Sequence, residues 1–234
     1  MATFLIVHGA WTGGWIWTRL RKLLNGTGHD VYTPTLTGLG ERAHLAHAGV
    51  NLTTHVQDVL AVLEHEDLHD VVLLAHSYGG MVATAVLHHA PHRMRQAIYL
   101  DAFVPQDGQC LFDLLPAGAA ERHRMAAAAS PEGWHIPPQP LPDDTLAADA
   151  AWIVARRRPQ PLHTFDEAVR LPINGPLPPR RYVYCTRSAP GDVFRTPARR
   201  AQVEPGWQSY VMDSSHSPHV TAPGMLVDVL QRLL

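Results

Sequence analysis

A mostly parallel, doubly wound α/β sheet with one inserted helical segment is the fold class that the sequence predicts. Three features carry this expectation: short apolar runs bounded by turn residues, helix-like stretches between them, and a single break in the alternation between about Pro105 and Pro179. Runs apolar on both faces mark strands buried between two helical layers. Regular alternation of strand and helix implies parallel crossovers of one hand.

The strand-like runs cover residues 4–7, 31–33, 71–75, 97–100, 182–185 and 210–212. Between them the helical pattern covers 15–24, 53–64, 80–89, 196–201 and 223–234. In the Ala- and Pro-rich break, helices without strands are expected at 113–129 and 143–158, joined by a stiff connector of Pro137, Pro138, Pro140 and Pro142. Residues 1–104 and 180–234 are thus expected to form one core, and 105–179 a helical cap inserted into it.

With 234 residues, 46% of them hydrophobic and 17% charged, the chain is long enough to close one substantial core. A net charge of -2 supplies no basic field for nucleic acid and no basic amphipathic stripe for a membrane. The expected partner is therefore a small molecule, and the sequence leaves room for a homodimer. Cys110 and Cys185 lack both a disulfide pattern and a metal-ligand spacing, which favours a reducing compartment. MATFLIVHG carries no Lys or Arg before a short apolar run, so the cytoplasm is the expected location. The sixteen His residues are scattered; His88 and His92 straddle Pro91, and His44 and His47 sit in a Gly-rich stretch. They are read as solvated surface residues, with no metal and no cofactor.

The third run leads straight into His76-Ser77-Tyr78-Gly79-Gly80 and then into a helical pattern. Strand, sharp turn and helix is the context that exposes a nucleophilic serine, and small residues two before and two after, here Ala75 and Gly79, let the helix pass close to the strand. Ser77 is the expected nucleophile. The first run ends in His8-Gly9-Ala10-Trp11. Loops after that strand and after the nucleophile supply backbone N–H groups to a developing oxyanion, here those of Ala10 and Tyr78. Trp11 is placed to touch the pocket, whereas Trp15 and Trp17 are expected to pack the first helix.

After the last run comes Asp213-Ser214-Ser215-His216-Ser217-Pro218-His219. A His on this loop arrives above the C-terminal sheet edge, so His216 is the expected base and His219 its competitor. A buried carboxylate must fix the imidazole tautomer, and two positions can supply it: Asp101 at the end of the fourth run, or Asp192 after the fifth.

HGAWTGGWIW, AHSYGGM, YVYCTR and DSSHSPHV, taken in this order, resemble the plant methylesterase and hydroxynitrile lyase family and its bacterial esterase relatives. The resemblance covers most of the chain outside the cap and implies the α/β-hydrolase fold and ester chemistry. It also implies an acid shortly after the strand 182–185, where this chain has Ser188. A carboxylate missing there and present at the strand end used by some haloalkane dehalogenases points to Asp101, with Asp192 as the alternative. The lyase branch carries Thr where Gly9 stands and Lys where Ser217 stands, which ranks lyase activity low.

A serine with an imidazole base and two N–H donors suits acyl transfer through an acyl-enzyme. Cleavage of a carboxylic ester with an apolar moiety is the plainest outcome. A thioesterase or acyltransferase of a biosynthetic pathway, or a ligand-binding protein on the same fold, are the alternatives. Phe103, Trp134 and Trp152, together with Trp11, are the expected substrate-binding side chains. Arg156, Arg157 and Arg158 end a predicted helix; binding of a carboxylate is the functional reading of this run, and a solvated terminus that complements the helix dipole is the one preferred.

Overall fold

The computed structural model describes residues 1–172, 175–187 and 192–234. In chain order the first half runs β1 (Thr3–Val7), α1 (Thr18–Gly26), β2 (Asp30–Tyr32), α2 (Leu52–His65), β3 (Val71–Ser77), α3 (Gly79–His89) and β4 (Met94–Ala102). The intervening segment contains α4 (Ala119–Ala128), β5 (His135–Ile136), α5 (Ala147–Val154), β6 (Gln160–Pro161) and α6 (His163–Asp166). The chain closes with β7 (Arg180–Cys185), α7 (Arg195–Val203), β8 (Trp207–Met212), α8 (Pro218–Thr221) and α9 (Pro223–Arg232).

Among the described residues, six strands form one parallel sheet in the order β2-β1-β3-β4-β7-β8. Side chains alternate across a strand, so each apolar run feeds two cores. Leu5, Val7, Leu73, Ala75, Tyr99 and Tyr182 face one core with Val56 and Val59 of α2, Val82 and Val86 of α3, and Ala198 of α7. Phe4, Ile6, Leu74, Ile98, Leu100 and Val183 face the other with Leu20 and Leu24 of α1 and Leu226 and Leu230 of α9. The α2 start is set by Asn51, whose Oδ1 accepts the Thr54 N–H at 2.9 Å while the Thr54 hydroxyl meets the Asn51 N–H.

The insertion departs from expectation in three ways. The helix expected at 113–129 shrinks to α4, because Pro116 and the left-handed Gly118 (φ 75°) set its start after a separate single turn at Leu111–Leu114. The helix expected at 143–158 shrinks to α5, preceded by a turn in which the Thr145 N–H donates to the Pro142 carbonyl. A two-stranded antiparallel pair, β5 with β6, is present where no strand was expected. Two-residue ladders leave no periodic trace; this one is fixed by tertiary bonds, including Leu162 N–H to the Trp134 carbonyl.

The histidines need a further correction. Five of the sixteen, His8, His29, His55, His76 and His219, are buried rather than solvated. Each of the first four finds a local polar partner, which is how a neutral imidazole is accommodated inside a core. No described helix is long and apolar enough to cross a membrane.

Candidate active site

Three neighbouring strands end in non-glycine residues, or lead into them, with left-handed backbone: Trp11 (φ 62°) after β1, Ser77 (φ 53°) at the end of β3, and Asp101 (φ 43°) near the end of β4. Such conformations cost of order 1–3 kcal/mol each and persist only where the surroundings enforce them. At Ser77 the enforcement is visible. Helix α3 starts two residues later, and a Cβ on Gly79 would sit 2.6 Å from the Val7 carbonyl oxygen, so only glycine lets the helix press against β1.

Asp101 is buried, and its carboxylate reaches two groups. His216 Nδ1 lies 2.8 Å from Oδ2, and the Cys185 N–H donates to Oδ1 at 3.2 Å. Burial pushes this carboxyl above its ordinary pKa, against the opposing pull of the His216 ring. The His216 ring stacks on Phe194 at 4.7 Å with a 10° interplanar angle. Its backbone is held from the other side: His76 Nε2–H donates to the His216 carbonyl at 2.7 Å. Burial keeps His76 well below the ordinary imidazole pKa, hence neutral. Gly9 is required by this ring, since a Cβ there would lie 2.9 Å from His76 Nδ1.

Asp192 is engaged elsewhere. The Tyr184 hydroxyl donates to its Oδ2 at 2.5 Å and the Phe194 N–H to its Oδ1 at 2.9 Å, which fixes the turn into α7. Ser188, where the family resemblance sets the acid, lies outside the described residues. His219 is buried against Trp17 with ring centroids 4.3 Å apart, burial lowers its pKa to about 3, and its Nδ1 meets no polar group among the described residues.

Ser77, His216, His219, Ala10 and Trp11 line one cavity of about 170 Å³, closed on the far side by Gln139, Pro140, Leu141, Pro142, Ile153 and Arg157 of the insertion. The N–H groups of Ala10 and Tyr78 have no acceptor among the described residues. The Tyr78 side chain points away, its hydroxyl donating to His55 Nδ1 at 2.8 Å. Trp11 is tied down three times: its N–H to Gln160 Oε1 at 3.0 Å, its Nε1–H to the Ile136 carbonyl at 3.0 Å, and its carbonyl to the Arg158 N–H at 3.0 Å.

The other expected substrate contacts are placed elsewhere. Phe103 meets Phe194 at 5.0 Å and lines a separate cavity of about 360 Å³ that includes Asp192 and Arg200 but neither Ser77 nor His216. Trp134 packs on His135. Trp152 packs edge-on to Trp15 at 4.9 Å beneath the Arg19 and Arg156 guanidinium groups. Neighbouring positions on a helix point about 100° apart, so turning Ile153 into the cavity turns Trp152 out of it. Two residues that sequence patterns did not flag, Gln160 and Gln139, take part in building the cavity instead; neither lies in a motif, and both act through long-range contacts.

Comparison with known proteins agrees with this architecture. A family model described as "Alpha/beta hydrolase family" matches residues 4–229. A carbendazim-hydrolysing esterase of Nocardioides sp. is 36% identical, with all of both chains aligned. The pFDCC methylesterase MES16 of Arabidopsis thaliana is 27% identical over 98% of this chain and 93% of its own. Among solved structures, an extracellular alpha/beta-hydrolase from a Paenibacillus species, described as sharing structural and functional homology with tobacco salicylic acid binding protein 2, superposes with a TM-score of 0.86 at 26% identity, covering 99% of this chain and 98% of that one. Sheet order, the strained serine turn and these matches together make the chain a member of the alpha/beta hydrolase family.

Proposed function

We propose that the chain is a serine esterase that cleaves a carboxylic ester with an apolar moiety through an acyl-enzyme. The observation that carries this reading is the 2.8 Å contact between His216 Nδ1 and Asp101 Oδ2, at the edge of a cavity that Ser77 also lines. A proton on Nδ1 donated to Asp101 leaves Nε2 as the basic atom of the ring, in the cavity that Ser77 shares, and the carboxylate stabilises the imidazolium that forms. Ser77 Oγ attacks the ester carbonyl, its proton passes to His216 Nε2, and that proton is then delivered to the departing alkoxide. The Ala10 and Tyr78 N–H groups receive the oxyanion, and water repeats the sequence to release the acid.

Residues 105–179 act as the cap, since Leu141, Pro140, Pro142 and Ile153 supply the apolar wall opposite Ser77. Relatives named as esterases, one of them aligned over its full length, support ester cleavage over the other acyl-transfer outcomes. Two free, buried thiols, Cys110 and Cys185, suit a cytoplasmic setting. Hydrolysis of a p-nitrophenyl ester by the wild type, abolished in Ser77→Ala, tests the reading; turnover that survives Ser77→Ala overturns it.

A further inference from the structure

Three consecutive arginines end the segment after α5, and the fold separates their fates. Arg156 is exposed, donates to the Trp152 carbonyl at 3.0 Å and covers the Trp152 ring at 5.5 Å. The Arg158 side chain is exposed and bonds carbonyls of its own turn. Only Arg157 lines the cavity that holds Ser77 and His216.

The environment of Arg157 is unusual for a cation. It is half-buried, its guanidinium lies 5.7 Å from the centre of the Trp11 ring, and Nη2 donates to the Gln139 carbonyl at 2.6 Å. These two contacts orient the fork, one against an aromatic face and one against a backbone acceptor. They leave the remaining N–H donors without an acceptor among the described residues. No described Asp or Glu forms an ion pair with it, and residues 173–174 and 188–191 contain no acid. Burial accordingly depresses its pKa with no carboxylate to offset the effect. Apart from the histidines, it is the only ionisable side chain among the described residues of the cavity wall, which otherwise combines apolar side chains such as Trp11, Leu141, Ile153 and Val220 with neutral polar ones such as Thr12 and Ser217.

A half-buried guanidinium with free donors and no internal counter-charge pairs best with a planar anion. We propose that Arg157 selects a substrate carrying a carboxylate, so that the natural ester is a short apolar unit with the reacting carbonyl near Ser77 and an anionic group at Arg157. A cavity of about 170 Å³ suits a small ester of this kind. The inference rests on the esterase reading for its reaction, and on Arg157 alone for its selectivity.

The test pairs two methyl esters of equal length, monomethyl succinate and methyl butanoate, which differ by a carboxylate against a methyl group. Wild-type protein should show a larger kcat/KM for monomethyl succinate. Charge-assisted hydrogen bonds are worth ~10- to 100-fold in affinity, so Arg157→Gln should lower the charged-to-neutral ratio by that factor, chiefly through KM. Arg157→Lys should restore part of it, because it returns the charge without the planar fork. A ratio that Arg157→Gln leaves unchanged, with Ser77-dependent turnover intact, overturns the inference while the esterase reading stands. If wild type cleaves neither ester, the esterase reading is judged by the p-nitrophenyl ester assay with Ser77→Ala and not by this pair. Calorimetric binding of succinate to Ser77→Ala then decides the inference separately: weakening of at least ~10-fold on adding Arg157→Gln upholds it, and equal or absent binding overturns it.

Discussion

Gln160 Oε1 accepts the backbone N–H of Trp11 across 149 positions of sequence, and its Nε2–H is spent on the Thr164 hydroxyl at 2.8 Å. Gln160 is fully buried, so this is a closed polar link between β6 and the loop that carries the Ala10 N–H. The bond thus holds the Ala10–Trp11 peptide directly, next to the Gly9–Ala10 peptide whose N–H is the oxyanion donor, at a residue with left-handed backbone.

Gln160→Leu should therefore act on turnover more than on binding. Removing the acceptor of the half-buried Trp11 N–H costs up to ~1–3 kcal/mol, and a misdirected oxyanion donor costs up to ~100- to 1000-fold in rate. We expect kcat to fall at least tenfold with a smaller change in KM, measured by steady-state kinetics on a p-nitrophenyl ester. A fall confined to KM would show that the link only shapes the pocket.

The two candidate carboxylates predict opposite phenotypes. Asp101→Asn removes the acceptor that fixes the His216 tautomer and should lower kcat by ~10³- to 10⁴-fold with the fold retained. Asp192→Asn keeps one acceptor oxygen where the Tyr184 hydroxyl and the Phe194 N–H use two, and position 192 lies outside the cavity of Ser77 and His216, so activity should stay within a few-fold of wild type and the loss should fall on stability. Equal and mild losses in the two variants would remove Asp101 from the mechanism.

Buried neutral histidines make the protein acid-sensitive. Burial lowers His8 to about 4, His55 to about 4 and His219 to about 3. Each ring returns to its ordinary value of about 6.5 when the chain unfolds, so below that pH the unfolded state binds the extra protons. Their contribution is thus fully present above pH ~6.5 and is lost as pH falls toward ~4, at about 1.4 kcal/mol per pH unit for each ring. Urea midpoints should be flat between pH 7.5 and 8.5 and drop steeply between pH 6.5 and 5; a midpoint unchanged down to pH 5 would contradict this.

Much of the sheet was readable because its strands are sandwiched. Val71 to Ala75 face helices on both sides, and such a run has no amphipathic ambiguity. The serine turn was readable because Gly79 must be small for a steric reason local to the chain. Trp152 and Ile153 mark where that legibility ends. Either residue can be buried on a short helix, and the choice was made by Trp15, more than a hundred residues earlier. His76 was likewise opaque: it reads as a filler beside Ser77, and only the return of the last loop gives its Nε2 a carbonyl to hold.

The left-handed backbone at positions 11, 77 and 101 carries an evolutionary consequence. Glycine would relax each of these sites, and asparagine would tolerate them better than most residues. Ser77→Gly should accordingly melt at a higher temperature than wild type while being inert. Variants drawn from a library on heat resistance alone would drift toward such replacements, so thermostability and chemistry have to be screened together in this protein.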